Sequence, residues 1–395
     1  MFNKIFSLQK IFINLVFFNR YQISLRVYQV LEMKRTLAVI AVIAFASICL
    51  PVAVQGQNII TGTVIDSLTQ EPLPSATVYI NGTTKGTVTD VHGQFELRDV
   101  SFPATVVFSF VGYKPKAYDF TRNPGHLSVK LKPNIELPEV VITDKKVKRK
   151  DLTYFKSMFL GDDRWGRHAN IRNENVIMIE NNNYNGVSVF KAWASEPLII
   201  ELPLLGYVLY VDLVHFTVEH VGGNTLCDML GYFYYKPYSI GTNSKLLSFK
   251  KNRRQAYYNS SQHFLRSVYE NRLEENGYIL AMADKGIRLD MIKYKPINIE
   301  RYSDVIEDSI MQIFGLKDKR LKILYYHKYD GTPLNLKDNK TTLYPFSESG
   351  IAFMKDTCIF FQDGIVIDNN IRFMGEISKK RVGACLPDDY SIDND

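Results

Sequence analysis

Cysteine is scarce in this chain, with four in 395 residues. Cys49 sits in an apolar leader, after Ile48, where a lipidation motif wants a small residue. That leaves Cys227, Cys358 and Cys385, far apart and odd in number. No CxxC pair occurs, which excludes a zinc knuckle and a thioredoxin-like motif. One disulfide in an oxidising compartment and buried thiols both stay open. No HExxH, GxSxG or P-loop occurs, and nothing calls for a cofactor or a metal. A broad basic excess is missing too. The formal net charge is +7, but residues 1–57 carry Lys4, Lys10, Arg20, Arg26, Lys34 and Arg35 against Glu32 alone. The rest is nearly balanced, so charge does not point to nucleic acid. The one dense basic run, DKKVKRK at 144–150, has no aromatics interleaved and reads as a solvated linker.

What is present is apolar: 46% of residues are hydrophobic, enough to fill two or three cores. Met33-Lys34-Arg35 opens a basic n-region, followed by an apolar run from Leu37 to Leu50, then Pro51 and Gln55-Gly56-Gln57. This is the anatomy of a secretory signal peptide over 33–56, with cleavage expected after Gly56. Residues 1–32 then read as an upstream extension. The alternative is a retained anchor, because Thr36–Val54 is nearly long enough to span a bilayer. Either way the chain is expected to be exported and to sit in the periplasm or at the outer membrane.

Residues 58–134 read as short strands and turns. IITGTVID alternates apolar and polar residues, EPLPSA turns, ATVYI is a second strand and Asn81-Gly82 a tight turn. In TKGTVTDVHGQFEL, residues 84–97, Asp90 is placed to bond its own backbone two residues on. Gly93 supplies a positive φ and Phe95 returns to the core. No second carboxylate lies near enough in sequence to complete a calcium loop, so this is a turn with His92 at its tip. ATVVFSFVGY and HLSVKLK continue the alternation, and about seven such strands argue a β-sandwich.

GTVIDSLTQEPLPSATVYINGTTKGTVTDVHGQFEL, followed by FSFVGY, resembles the carboxypeptidase-regulatory-like domain of Bacteroidetes surface and envelope proteins. The matching positions include Gly62, Asp66, Pro72, Gly82, Gly86, Asp90, Gly93, Phe95, Gly112 and Tyr113. The resemblance implies an all-β, prealbumin-like seven-stranded sandwich and an accessory rather than a catalytic role. A metallocarboxypeptidase needs His and Glu three residues apart as zinc ligands. None of the seven His (92, 126, 168, 215, 220, 263 and 327) has a Glu three residues later. Residues 135–150 read as a linker. Within it, IELPEVVITDKK is similar to the TonB-interacting segment that follows this domain in TonB-dependent receptors. Val140, Val141, Ile142 and Thr143 could add to a partner as an edge strand. The bland reading is a linker strand, and the chain beyond is too short for a receptor barrel.

Residues 151–395 read as an α+β domain. LTYFKSMFLGDD starts as an amphipathic helix stopped by Gly161. RRQAYYNSSQHFLRSVYENRLE, 254–275, gives the strongest helix, stopped by Asn276-Gly277. FLGDD, PLIIELPLLGYVLYVDL, AYYNSSQHFLRSVYENRLEENGY and RVGACLPDDY resemble the C-terminal region of Bacteroidetes carboxypeptidase-like regulatory-domain proteins, which brings no functional residue with it. From the residues alone, His263, Arg266 and Glu270 share one helix face and form an acid/base or anion-binding candidate, against a solvated face with an internal ion pair. Asp162, Asp163, Arg164, Trp165 and His168 form a polar cluster that could cap a helix end and bind sugar through Trp165, against a plain loop. Asp388 and Asp389 read as a solubilising tail, and Tyr232, Tyr234 and Tyr235 as sheet packing rather than a carbohydrate platform. The expected function is non-enzymatic interaction or ligand binding in the envelope, with a membrane-protein or glycan partner. The rivals are an accessory to TonB-dependent uptake and a hydrolase with its site in 151–395.

Overall fold

The computed structural model describes residues 58–134, 147–184, 187–221, 223–239, 242–283, 294–307, 309–338, 346–367, 370–393 and 395. The leader, residues 144–146 of the basic run and Val140–Thr143 lie outside these residues.

Alternation sets the first layer. Strands β1 (Ile60–Asp66), β2 (Thr77–Ile80), β3 (Gly86–Val88), β4 (Gln94–Leu97), β5 (Ala104–Ser109), β6 (Lys116–Phe120) and β7 (His126–Leu131) build two facing sheets. Their orders are β4-β1-β7 and β3-β2-β5-β6. In β1 every second residue is buried, as a half-buried strand requires. Ile60, Val64, Phe95, Phe108, Val129 and Leu131 fill the space between the sheets. Each such side chain, fully buried, stabilises by about 1.5–3 kcal/mol. The turn at 90–93 forms as its residues dictate. Asp90 Oδ1 accepts from the backbone N–H of His92 (2.9 Å) and Gln94 (2.8 Å), and Gly93 has φ +71°.

Beyond the linker come α1 (Arg149–Leu160), ended by Gly161 at φ +100°, and α2 (Arg164–His168). Then follow β8 (Asn170–Ile171), β9 (Ile177–Tyr184), β10 (Val187–Ala194), β11 (Leu198–Leu202), β12 (Tyr207–Val221) and β13 (Asn224–Pro237). They form one sheet, ordered β8-β11-β12-β10-β9, with β13 pairing the other side of β12. A bulge at Val214 shifts the β12–β13 register. Phe155, Phe159, Phe190, Leu209, Phe216 and Val218 form its core.

A second core lies within the same C-terminal part. Helices α3 (Asn243–Tyr257) and α4 (Ser261–Tyr269) lead into β14 (Tyr278–Ala283), β15 (Tyr294–Pro296), β16 (Ser303–Glu307), β17 (Ile310–Phe314), β18 (Leu321–Tyr326), β19 (Phe346–Phe353), β20 (Thr357–Phe361), β21 (Ile371–Gly375) and α5 (Glu376–Lys379). They make sheets ordered β15-β14-β18-β19-β21 and β16-β17-β20, packed around Phe264, Tyr278, Ile323 and Phe360. Strand content thus dominates the described part of residues 151–395.

The single helix expected over 254–275 is two helices, with different bounds. Asn259 takes φ +57° and breaks the chain's course. Ser260 then caps α4, its hydroxyl accepting from His263 N at 3.1 Å. The break sends Tyr257 into the first core and Phe264, Leu265 and Val268 into the second. Residues Gln57–Asp395 form one compact unit. Among the described residues no helix is long and apolar enough to cross a membrane, which says nothing of spanning by strands.

Candidate functional site

The tight turn Asn81-Gly82, expected as a plain hairpin, is where the sandwich meets the rest of the unit. Gly82 N donates to Phe233 O at 2.7 Å and Tyr235 N to Thr83 O at 2.9 Å, so this turn adds to the outer edge of β13. Phe233 N donates to Asn81 Oδ1 at 2.8 Å. The far side of the turn meets the C-terminal run. Asp388 N donates to Gly82 O at 2.8 Å, and Asp389 accepts from the Thr84 hydroxyl at 2.6 Å. Asp388 and Asp389 are therefore docking residues rather than a solubilising tail. Gly82 is required here on two counts. Its φ is +76°, and a Cβ would fall 1.7 Å from Asp388 Oδ2.

A second contact lies on the sheet face. Asp212 is 8% exposed, and its two oxygens accept from the Tyr79 and Ser109 hydroxyls of the sandwich, each at 2.6 Å. Tyr79 also stacks on Tyr234, centroids 5.3 Å apart. Burial raises the Asp212 carboxyl above its usual range, while the two hydroxyls pull it down.

Between these elements opens a cavity of about 290 Å³. Asn81 and Gly82 form one wall, and Met229, Phe233 and Tyr235 of β13 the next. The end of α3, the start of α4, the Gly364-Ile365 turn and the run Lys380–Asp388 close it. Its lining is largely apolar, with Asn81, Gln262, Lys380, Cys385, Asp388 and the serines that open α4 as its polar residues. Lys380 is committed elsewhere: its ammonium donates to the carbonyls of Ala256 (2.8 Å) and Tyr258, tying down the end of α3. Burial pushes that ammonium down to about 8. Cys385 opens onto the cavity, yet protein encloses its other sides, and that enclosure pushes the thiol up to about 11. It is protonated at neutral pH and a poor nucleophile. Asp388 is raised well above the carboxylate range, first by burial and then by Asp363.

The residues singled out from sequence do not meet in one place. His263 is 3% exposed, not solvated. Its Nδ1 accepts from the Tyr278 hydroxyl (2.8 Å) and from Asn259 N (3.2 Å), and burial pulls it down to about 3. It is a neutral core histidine. Arg266 is a clamp, donating to the carbonyls of Asp363 (2.8 Å), Tyr390 (2.7 Å) and Asp388 (2.8 Å). Glu270 is exposed at the end of α4, 3.9 Å from Arg272. The one-face arrangement fails because α4 faces a core on one side and the C-terminal run on the other, leaving only its end to solvent.

Trp165 is 9% exposed and packed in the first core, with the Arg164 guanidinium 5.1 Å from its ring centroid. No open ring face is left for a sugar. The acids beside it cap helix ends: Asp163 Oδ1 accepts from Gly166 N at 2.8 Å. No disulfide joins Cys227, Cys358 and Cys385. Among the described residues no group of three His, Cys, Asp or Glu is placed to hold a metal ion.

Residues 60–142 match the family model described as a CarboxypepD_reg-like domain. The sandwich is a CarboxypepD_reg-like domain. Two curated relatives share this domain. TonB-dependent receptor SusC of Bacteroides thetaiotaomicron is 34% identical over 110 residues, 27% of this chain and 11% of the receptor. TonB-dependent receptor P26 of Formosa agariphila is 38% identical over 107 residues, 27% of this chain and 10% of the receptor. The chain thus spans about a tenth of the length of these relatives. Among solved structures, a protein of unknown function from Bacteroides fragilis, described as membrane-associated, is 12% identical. It covers 46% of this chain and 99% of its own, at a TM-score of 0.17. A chain of a type II cohesin–X-dockerin complex from Acetivibrio cellulolyticus is 26% identical over 18% of this chain and 51% of its own, at a TM-score of 0.16. Scores this low carry no argument.

Proposed function

We propose that this is a non-enzymatic envelope protein, exported by residues 33–56, whose CarboxypepD_reg-like domain and C-terminal part together bind a small amphipathic ligand. In this reading residues 58–134 are the seven-stranded prealbumin-like sandwich and residues 151–395 an α+β part that shares the ligand site with it. The carrying observation is the shared cavity: Asn81-Gly82 of the sandwich forms one wall and residues 229–388 the others. An apolar pocket with a few convergent polar groups is the usual form of a small-ligand site. Asp388 would accept from a hydroxyl or amine of the ligand, and Tyr235, Tyr257 and Phe233 would pack its apolar faces. A glycan with one exposed apolar face fits that description. An envelope location, at the periplasm or outer membrane, is supported by the domain shared with two TonB-dependent receptors.

The test is a thermal-shift screen of the chain from Gln57, using oligosaccharides, short peptides and single-chain amphiphiles. A ligand held at 100 times its Kd stabilises the wild type by about 2.7 kcal/mol. Ile365→Trp, which adds bulk to the cavity lining, abolishes that gain. Equal stabilisation of both forms refutes the cavity as the site.

The shared domain also favours a second reading, an accessory to TonB-dependent uptake acting through Val140–Thr143. Deleting 135–143 then abolishes capture of a purified TonB C-terminal domain and leaves ligand binding intact. The hydrolase reading has no support from the site, since His263 and Arg266 are both committed to structural partners.

A further inference from the structure

Among the described residues, the outer edge of β13 is paired only in part. From Phe233 to Tyr235 it pairs with the Gly82-Thr83 segment, which runs parallel to it. Phe233 and Tyr235 turn their backbone groups outward there. Alternation along the strand makes Thr225, Cys227 and Met229 do the same further down. Among the described residues no strand pairs with the edge from Thr225 to Leu230. That stretch is six residues, about 20 Å of strand edge.

The side chains of this stretch are not those of a blunted edge. Natural edges carry lysines, prolines or inward charges that discourage pairing. Here Leu226 is 46% exposed and Leu230 45% exposed, on the same face as Tyr232 and Tyr234, which the sandwich covers higher up. Between the two leucines stands Asp228, bonded to His215 at 2.9 Å, and Glu219 pairs across from Leu226. The open edge is thus continuous with a strand-pairing interface the protein already makes, and it offers apolar, acidic, apolar at alternate positions.

We infer that Thr225–Leu230 is a strand-addition site for an extended segment of a partner polypeptide, with apolar residues at i and i+4 and a lysine or arginine at i+2. Main-chain bonds to Thr225, Cys227 and Met229 supply affinity. The leucines pack the partner's apolar side chains, and Asp228 with Glu219 selects its cation. Charge argues against a second copy as the occupant. The antiparallel register that sets Leu226 against Leu230 of another copy also sets Asp228 against Asp228, and like charges directly opposite destabilise.

The probe is a nine-residue peptide with isoleucine and valine flanking a central lysine, compared with the same peptide carrying glutamate instead. The readouts are fluorescence anisotropy and amide hydrogen exchange on the chain from Gln57. The lysine peptide is expected to bind at least tenfold tighter and to slow exchange at Cys227 and Met229. Met229→Pro removes one outward N–H and abolishes that protection. Leu226→Thr with Leu230→Thr, both on the exposed face, weakens binding about tenfold with the fold intact. Equal binding of the two peptides overturns the inference, as does protection elsewhere or none at millimolar peptide. A peptide-free dimer that protects 225–230 overturns it in favour of self-association. Ligand occupancy of the cavity is scored separately with Ile365→Trp, so either reading can fail alone.

Discussion

The Asp212 contact makes the sharpest quantitative claim about how the two parts are held. Its carboxylate is 8% exposed and accepts two hydroxyls at 2.6 Å, and among the described residues no ion pair reaches it. Tyr79→Phe deletes one of those donors and leaves the ring stacking on Tyr234 in place. A hydrogen bond to a charged group contributes about 1.5–3 kcal/mol, so the loss should be about 2 kcal/mol. Asp212→Asn behaves differently. It removes the desolvation cost of a buried charge and keeps one acceptor, so its own cost should stay within about 1 kcal/mol. In that background Tyr79→Phe loses only a neutral bond, about 1 kcal/mol. The double-mutant cycle should therefore show a coupling of about 1 kcal/mol.

The pH sign follows from the same burial. The folded state raises the Asp212 pKa, so it holds this proton at higher pH than the unfolded chain does. This group's contribution to stability therefore falls as pH rises from its unfolded value, about 3.9, through its folded value. Mild acid tightens the contact rather than releasing it, and the Asn variant loses that dependence. The assay is urea unfolding between pH 4 and 8, with exchange at the Tyr79–Asn81 amides reporting docking. A cost below about 0.5 kcal/mol for Tyr79→Phe, with no coupling to residue 212, would refute the idea that this carboxylate holds the sandwich.

Gly82→Ala should cost about 2 kcal/mol or more, from a left-handed non-glycine residue and the collision with Asp388; Asp388→Ser should restore part of it in urea midpoints. Arg266→Ala leaves three carbonyls without their donor and should cost about 3 kcal/mol, with faster exchange over 380–393 while the sandwich amides hold. His263 is neutral in the fold, held down to about 3, so stability is present above its unfolded value near 6.5 and is lost as pH falls below it. The slope is about 1.4 kcal/mol per pH unit, and His263→Gln should flatten it in unfolding measured from pH 7 to 4.

Much of the local structure was legible. The turn at Asp90–Gly93 needed only an acceptor two residues from its donor and a glycine where φ is positive. The stop at Gly161, where φ is +100°, was read from the same local chemistry. The break at Asn259 was less visible, because helix periodicity runs on either side of it. Its one signal is the Asn-Ser-Ser of residues 259–261, a left-handed residue followed by a cap. The site itself was not legible. Asp388 and Asp389 look like tail residues by sequence, and only Leu386 and Tyr390 beside them hint that the run is buried.

The sequence by itself determined the strands, the turns and the CarboxypepD_reg-like identity of the first domain. The strands and turns depend on side-chain alternation and on backbone preferences within a few residues, the identity on positions shared with the family model. The tertiary structure alone decided that this domain docks on β13, that Asp212 and Asp388 lie between the parts, and that His263 is core. Asp212 and Tyr79 stand 133 positions apart. Periodicity carries no information about which faces so distant in the chain will meet, because that choice is made by long-range burial and by pairing of groups that would otherwise be left without a partner.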